Sequence, residues 1–141
     1  MSFQLRNGAE SINLSLPITA GTTIAVNTLL AISGNVVKAA TSTNNILNIV
    51  AVSAESADSS ATTILATLIN DNQIWEADCA NNTNSNQLLV GQNMGNNGLI
   101  NNLSTESGNN GEIFLPFAIK GSTSDKKLLG KLLIERSTTG L

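Results

Sequence analysis

Apolar residues fall at every second position from Ile12 to Ile18, with Asn13, Ser15 and Pro17 between them. A period of two predicts a β-strand with one buried and one wet face. Pro17 has no N–H to give to a ladder, so this strand belongs at a sheet edge or ends near the proline. The alternation resumes at Ile24 and Val26. Leu29, Leu30 and Ile32 then run into Ser33-Gly34-Asn35 and leave through Val36 and Val37, a hairpin signature. Residues 46–52 and 62–69 predict two more strands, joined by the small residues of 53–60. Asn70-Asp71-Asn72 predicts a turn, because Asn and Asp side chains bond their own backbone and tolerate left-handed conformations. Residues 73–79 follow as a strand, with Ile74, Glu76 and Asp78 on one side and Trp75, Ala77 and Cys79 on the other.

From 80 to 110 the chain is dominated by Asn, Ser, Thr and Gly and is too long for a plain loop. It predicts short strands linked by asparagine-rich turns, with Asn97-Gly98 and Asn110-Gly111 as two tight ones. Residues 113–119 predict a strand carrying Pro116. Residues 127–135 predict the last strand; a short helix after Ser124 is the alternative, and Gly130 disfavours it. Residues 1–10 show little periodicity and carry the turn dipeptide Asn7-Gly8, which predicts an N-terminal arm preceding the domain. The pattern gives roughly eight to ten short strands and no clear helix. The expectation is an all-β chain, a small single-domain β-barrel or β-sandwich with long Asn-rich loops. No internal repeat at a fixed period supports a solenoid.

Length agrees with one domain spanning 1–141, since single cores commonly serve chains of this size. Hydrophobic residues at 41% suffice for a core, yet charged residues are only 12%, about half the usual share. The chain has 20 Asn, 15 Ser and 14 Thr, so neutral hydrogen-bonding side chains cover the surface where Lys and Glu ordinarily would. Such groups are buried against a neighbour at lower desolvation cost than charges, which suits a protein packed among many copies. A net charge of −3, with seven scattered basic residues, argues against binding nucleic acid. No apolar run approaches the length of a membrane span, and residues 1–10 lack the apolar core of a signal peptide, so cytoplasmic synthesis is expected.

The chemistry expected of the chain is correspondingly small. Without histidine there is no Ser-His or Cys-His nucleophile, no imidazole base and no imidazole metal ligand. Cys79 is the only cysteine, which excludes an intrachain disulfide, and its strand pattern reads as a packed core thiol. Glu76 and Asp78 share a face as an acid/base pair would, but a solvated strand surface accounts for them. Asp71, Asn72, Glu76 and Asp78 lack the spacing and glycine of a calcium loop. Trp75 reads as core packing. No catalytic, cofactor or metal residue is assigned, and the chain is expected not to be an enzyme.

Three segments carry a resemblance. Asn-Thr-Leu-Leu-Ala-Ile-Ser-Gly-Asn-Val-Val-Lys-Ala-Ala at 27–40, followed by Ile49-Val50-Ala51-Val52 and an Ala/Ser/Thr connection, is similar to the small β module of tailed-phage capsid decoration (cement) proteins. Leu-Ile-Asn-Asp-Asn-Gln-Ile-Trp-Glu-Ala-Asp-Cys-Ala-Asn-Asn at 68–82 and Asp-Lys-Lys-Leu-Leu-Gly-Lys-Leu-Leu-Ile at 125–134 resemble that group too. The likeness covers most of 17–135 as a pattern of strands and turns. It implies a β-tulip-like virion protein, without cofactor, that binds the major capsid protein on the outer surface of the head near three-fold positions and braces adjacent capsomers. It also implies self-association, with a trimer possible. No ligand residues transfer; Phe3, Leu5 and Arg6 in the expected arm are the candidate partner contacts, through strand addition or arm docking. Alternatives are another virion structural role, such as a head-fibre base or tail component, and, behind it, a glycan-binding β domain.

Overall fold

The computed structural model describes residues 3–8, 11–41, 48–94, 98–101 and 112–133. Among them are eleven strands and no α-helix: β1 (Phe3–Gly8), β2 (Asn13–Pro17), β3 (Leu29–Ser33), β4 (Val36–Ala39), β5 (Ile49–Ser53), β6 (Thr63–Leu68), β7 (Gln73–Asp78), β8 (Gln92–Met94), β9 (Ile100–Asn101), β10 (Glu112–Ile119) and β11 (Lys127–Leu132). They form a six-stranded sheet in the order β1-β7-β11-β10-β8-β9 and a five-stranded sheet in the order β2-β6-β5-β3-β4. Every ladder between named strands is antiparallel. The chain lays down one strand of the first sheet, then the whole second sheet, then returns at Asn70-Asp71-Asn72 to complete the first. Asn70 Oδ1 accepts the Asn72 N–H at 2.9 Å, the local bond expected of that triplet.

The sheets face each other across one core. Phe3, Trp75, Phe114 and Leu128 from the six-stranded sheet meet Leu29, Ala31, Ile49 and Val52 from the five-stranded sheet in a single buried cluster. This is the sandwich of the two expected architectures, and neither sheet closes into a barrel. A second cluster, including Leu30, Val37, Ala51, Ile64 and Ala66, fills the far face of the five-stranded sheet beneath Ile18, Ile24 and Ala57. That sheet curls around the second cluster until its edge strands β2 and β4 approach each other without a ladder. Ser53 pins the covering loop: its Oγ donates to Ala25 O at 2.7 Å and accepts the Thr28 N–H at 2.9 Å.

Local chemistry explains several details. Ser33 pairs with Val36, so Gly34-Asn35 is a two-residue hairpin loop, and Gly34 at φ +64° occupies its first position, where a type II′ turn favours glycine. Asn84 caps the 3₁₀ turn Ser85–Gln87: its Oδ1 accepts the Asn86 N–H at 2.9 Å, and its N–H donates to buried Gln87 Oε1 at 2.7 Å. Here asparagines make turns, as expected. Residues 127–132 form a strand, not a helix, because Gly130 lets β10 approach; a Cβ there would strike Leu115 O and lie 2.7 Å from Pro116 Cα. Asn110-Gly111 and residues 134–135 lie outside the described residues, as does Asn97 of the other expected tight turn, while Gly98 sits at φ +78°.

The expected N-terminal arm is instead β1, paired antiparallel with β7 from Phe3↔Ala77 to Gly8↔Gln73. Phe3 and Leu5 alternate with Gln4 and Arg6, a period of two too short to stand out before Asn7-Gly8. The dipeptide ends the strand; it does not separate an arm from the domain.

Candidate functional site

The outer face of the six-stranded sheet gathers most of the charge seen in side-chain ion pairs. Alternation along β7 turns Trp75 and Ala77 into the core and Ile74, Glu76 and Asp78 outward. Glu76 lies opposite Gln4 of β1 and Leu129 of β11, and Asp78 lies opposite Lys127. A β-bulge in β10 between Pro116 and Ala118 then breaks the alternation. It returns Ile119 to the core and sends Lys120 out to Glu76; strict alternation from buried Phe114 would have turned Lys120 inward.

Three cations therefore converge on one carboxylate. Arg6 reaches Glu76 Oε2 through Nε at 2.7 Å and Nη2 at 2.6 Å, and Lys120 Nζ approaches the same oxygen at 3.0 Å. Lys127 Nζ bridges Glu76 Oε1 at 3.1 Å and Asp78 Oδ1 at 2.9 Å. Lys131 adds a looser pair to Asp71 at 3.5 Å. Burial pushes the Glu76 carboxyl up, but hydrogen bonds from Lys120, Lys127 and Arg6 and the Arg6 charge outweigh it and hold the group at about 2. Lys127 is raised, first by its bond to Asp78 and then by its bond to Glu76. Glu76 is only 4% exposed, so the expected solvated carboxylate is corrected to a clamped one. A carboxylate ionised down to this pH is a poor proton acceptor near neutrality and serves as a structural counterion.

Of the three residues expected to meet a partner, Phe3 is wholly buried. Its ring stands edge-on to Phe114 with centroids 6.3 Å apart, and its N–H donates to Asn27 O at 3.2 Å. Phe3 thus belongs to the chain's own core and presents no side chain to a neighbour. Leu5 is half-buried against that core opposite Trp75, and Arg6 spends its guanidinium on Glu76. The structure brings Arg6 onto Glu76 and links Glu76 to Asp78 through Lys127, and it places Cys79 apart from them, inside. Burial, with a smaller push from the Asp78 charge, raises the Cys79 thiol to about 12, which keeps it protonated and unreactive. Trp75 is also buried, and its indole N–H donates to Gln73 Oε1 at 3.2 Å.

No family model and no curated protein matches this chain.

Two apolar surfaces escape the period-two reading. The first is the open mouth of the curled five-stranded sheet, a pocket of about 380 Å³ bordered by Leu16 and Pro17 of β2, Val36 and Val37 of β4, Val50 and Leu68. A bulge where β5 meets β3 turns Val50 to the same side as Ala51 and returns Ile49 to the main core. Ile12 and Leu14, on the apolar side of the strand pattern, are 54% and 45% exposed. The expected buried face of this strand is therefore buried only from Leu16 onward. The second surface lies beside β10. Leu89 is 71% exposed at φ +62°, a conformation uncommon for a branched, bulky residue, and its N–H donates to Pro116 O at 2.8 Å. That bond sets Leu89 beside the peptide leading into exposed Phe117. The only sequence signal for it is an apolar triplet, Leu88-Leu89-Val90, among polar residues.

Proposed function

We propose that this chain is a capsid decoration protein that sits on the outer surface of a tailed-phage head and braces capsomers of the major capsid protein. The observation that carries the reading is an exposed apolar patch beside β10 on a two-sheet body. Leu89 and Phe117 supply apolar anchors there, and the outer face of the same sheet carries Lys120, Lys127, Arg6 and Lys131. Exposed aromatic and aliphatic anchors with polar surroundings are what protein interfaces use. The likeness of residues 27–40, 68–82 and 125–134 to decoration proteins supports the same reading. Each copy needs only a modest interface, because a symmetric lattice turns several weak contacts into avid binding. On this reading the contacts come from the Leu89–Phe117 patch in place of the N-terminal segment.

Co-sedimentation with expanded, undecorated heads, compared with unexpanded proheads, tests it. Saturable binding to expanded heads, with greater resistance of those heads to heat, is the expected result, and Phe117→Asp together with Leu89→Asp should weaken it. Binding to neither form overturns the proposal and moves the head-fibre, tail and glycan-binding readings to the front.

A further inference from the structure

An exposed sheet edge is a row of unpaired N–H and C=O groups, and proteins guard such edges with charge, proline, bulges or brevity. Among the described residues the sheets have four edge strands, and three of them are guarded. β1 carries Arg6 and a bulge, β4 carries exposed Lys38, and β9 has two residues. β2 carries neither charge nor bulge; Pro17 stands at its far end, where β4 comes near without a ladder. Residues 11–37 contain no Asp, Glu, Lys or Arg at all, and residues 11–15 are all exposed. The hydrogen-bond phase shows which groups are on offer. Ile12 O accepts the Leu68 N–H and Ile18 N–H donates to Thr62 O, both at 2.9 Å, so the even-numbered residues bond β6. The N–H and C=O of Asn13 and Ser15 point the other way, where among the described residues no strand pairs with β2.

We propose that β2 is the seam of a two-fold dimer, pairing antiparallel with β2 of a second copy to join two five-stranded sheets into one. The register follows from the proline. With Leu14 opposite Leu14 of the second copy, Asn13 faces Ser15 on each side of the axis, giving a hydrogen-bonded pair twice over, and the missing N–H of Pro17 falls outside these central bonds. In the same register exposed Leu14 meets Leu14 of the second copy and exposed Ile12 stands across from half-buried Leu16 on the apolar side, so both side chains left in solvent at the mouth gain cover. A second copy fits this edge better than a charged partner would. The strand is uncharged, so two chains of net charge −3 meet where neither carries charge, and antiparallel pairing of a strand with itself closes after two copies. The inference rests on the edge alone and stands independently of the capsid reading.

Sedimentation equilibrium of the full chain over a wide concentration range tests it, with a species at twice 14.6 kDa expected. Leu14→Lys places two ammonium groups face to face at the axis and should raise the dimer Kd by about tenfold or more. Ser15→Pro, which deletes an edge donor, should abolish the dimer. Mixing Leu14→Lys with Leu14→Glu should restore a mixed dimer, detectable by native mass spectrometry. Both sites are exposed, and far-UV circular dichroism confirms that each variant is folded. A chain that stays monomeric at every concentration overturns the proposal. So does a dimer that survives Leu14→Lys and Ser15→Pro, or a Lys/Glu mixture that fails to pair.

Discussion

The outer face of the six-stranded sheet holds Glu76 among Arg6, Lys120 and Lys127, whereas the mouth of the five-stranded sheet leaves Ile12, Leu14 and Ile32 in solvent. Around Glu76 the first sheet closes its surface on itself: Arg6, Lys120 and Lys127 find their counterion there, and its edge strand β1 carries a bulge between Leu5 and Asn7. The second closes its core on both faces but leaves an edge and a rim incomplete. Stability and self-association are thereby separated in space. Substitutions around Glu76 should change folding, and substitutions at the β2 rim should change pairing between copies.

The sharpest way to break this comparison is at Phe3. As a core residue of β1 it should cost about 3–5 kcal/mol when changed to Ala, by analogy with other buried aromatic truncations. An N-terminal arm would lose less than about 0.5 kcal/mol, the range of exposed substitutions. Urea unfolding of Phe3→Ala decides between them. Gly130→Ala comes next. Its new methyl would press on Leu115 O and Pro116, so a loss of roughly 1–3 kcal/mol is expected from overpacking between β10 and β11. An unchanged midpoint would mean that the two strands separate without strain.

Glu76 sharpens the electrostatic half of the comparison. Its folded pKa, about 2, lies below the ordinary 4.5, so its ionised form is favoured by folding. That stabilisation is complete above 4.5 and disappears as pH falls from 4.5 toward 2. The half-exposed cations are partly screened, so the contribution is on the order of 2 kcal/mol. Glu76→Gln should lower stability at pH 7 by a similar amount and flatten the acid limb of the stability profile; a limb of unchanged steepness would assign acid sensitivity to other carboxylates.

The alternation of apolar and polar residues was enough to predict nearly every strand outside 1–10, because period two is written in side-chain type alone. It was blind to the bulges, since one extra residue reverses every later side chain and leaves no mark in composition. Lys120 is the clearest case: simple alternation from Phe114 would send it inward, and its place beside Glu76 depends on the irregularity at Phe117. Glu76 itself looked like an ordinary surface acid because its three partners come from positions 6, 120 and 127, far apart in the chain. Nor does the pattern of β2 disclose where its cover ends. Ile12, Leu14 and Leu16 are chemically equivalent in sequence, and only the curl of the sheet decides that the last is sheltered and the first two are not.

That gradient along β2 supports the smallest predicted effect. Leu14→Ser at low protein concentration removes a side chain already 45% exposed, with a partner strand, β6, on one side of it, and should change the unfolding free energy by no more than about 0.5 kcal/mol. Leu16→Ser, two residues on and packed against the second core cluster, should cost about 2 kcal/mol or more through lost burial and an added polar group. The ratio matters more than either value. If both substitutions cost the same, the rim is covered in solution and the β2 edge is not free to pair. If Leu14→Ser is silent in dilute solution but destabilises at high concentration relative to the parent chain, the lost stability belongs to the contact between copies, since binding stabilises a fold only when partner is present.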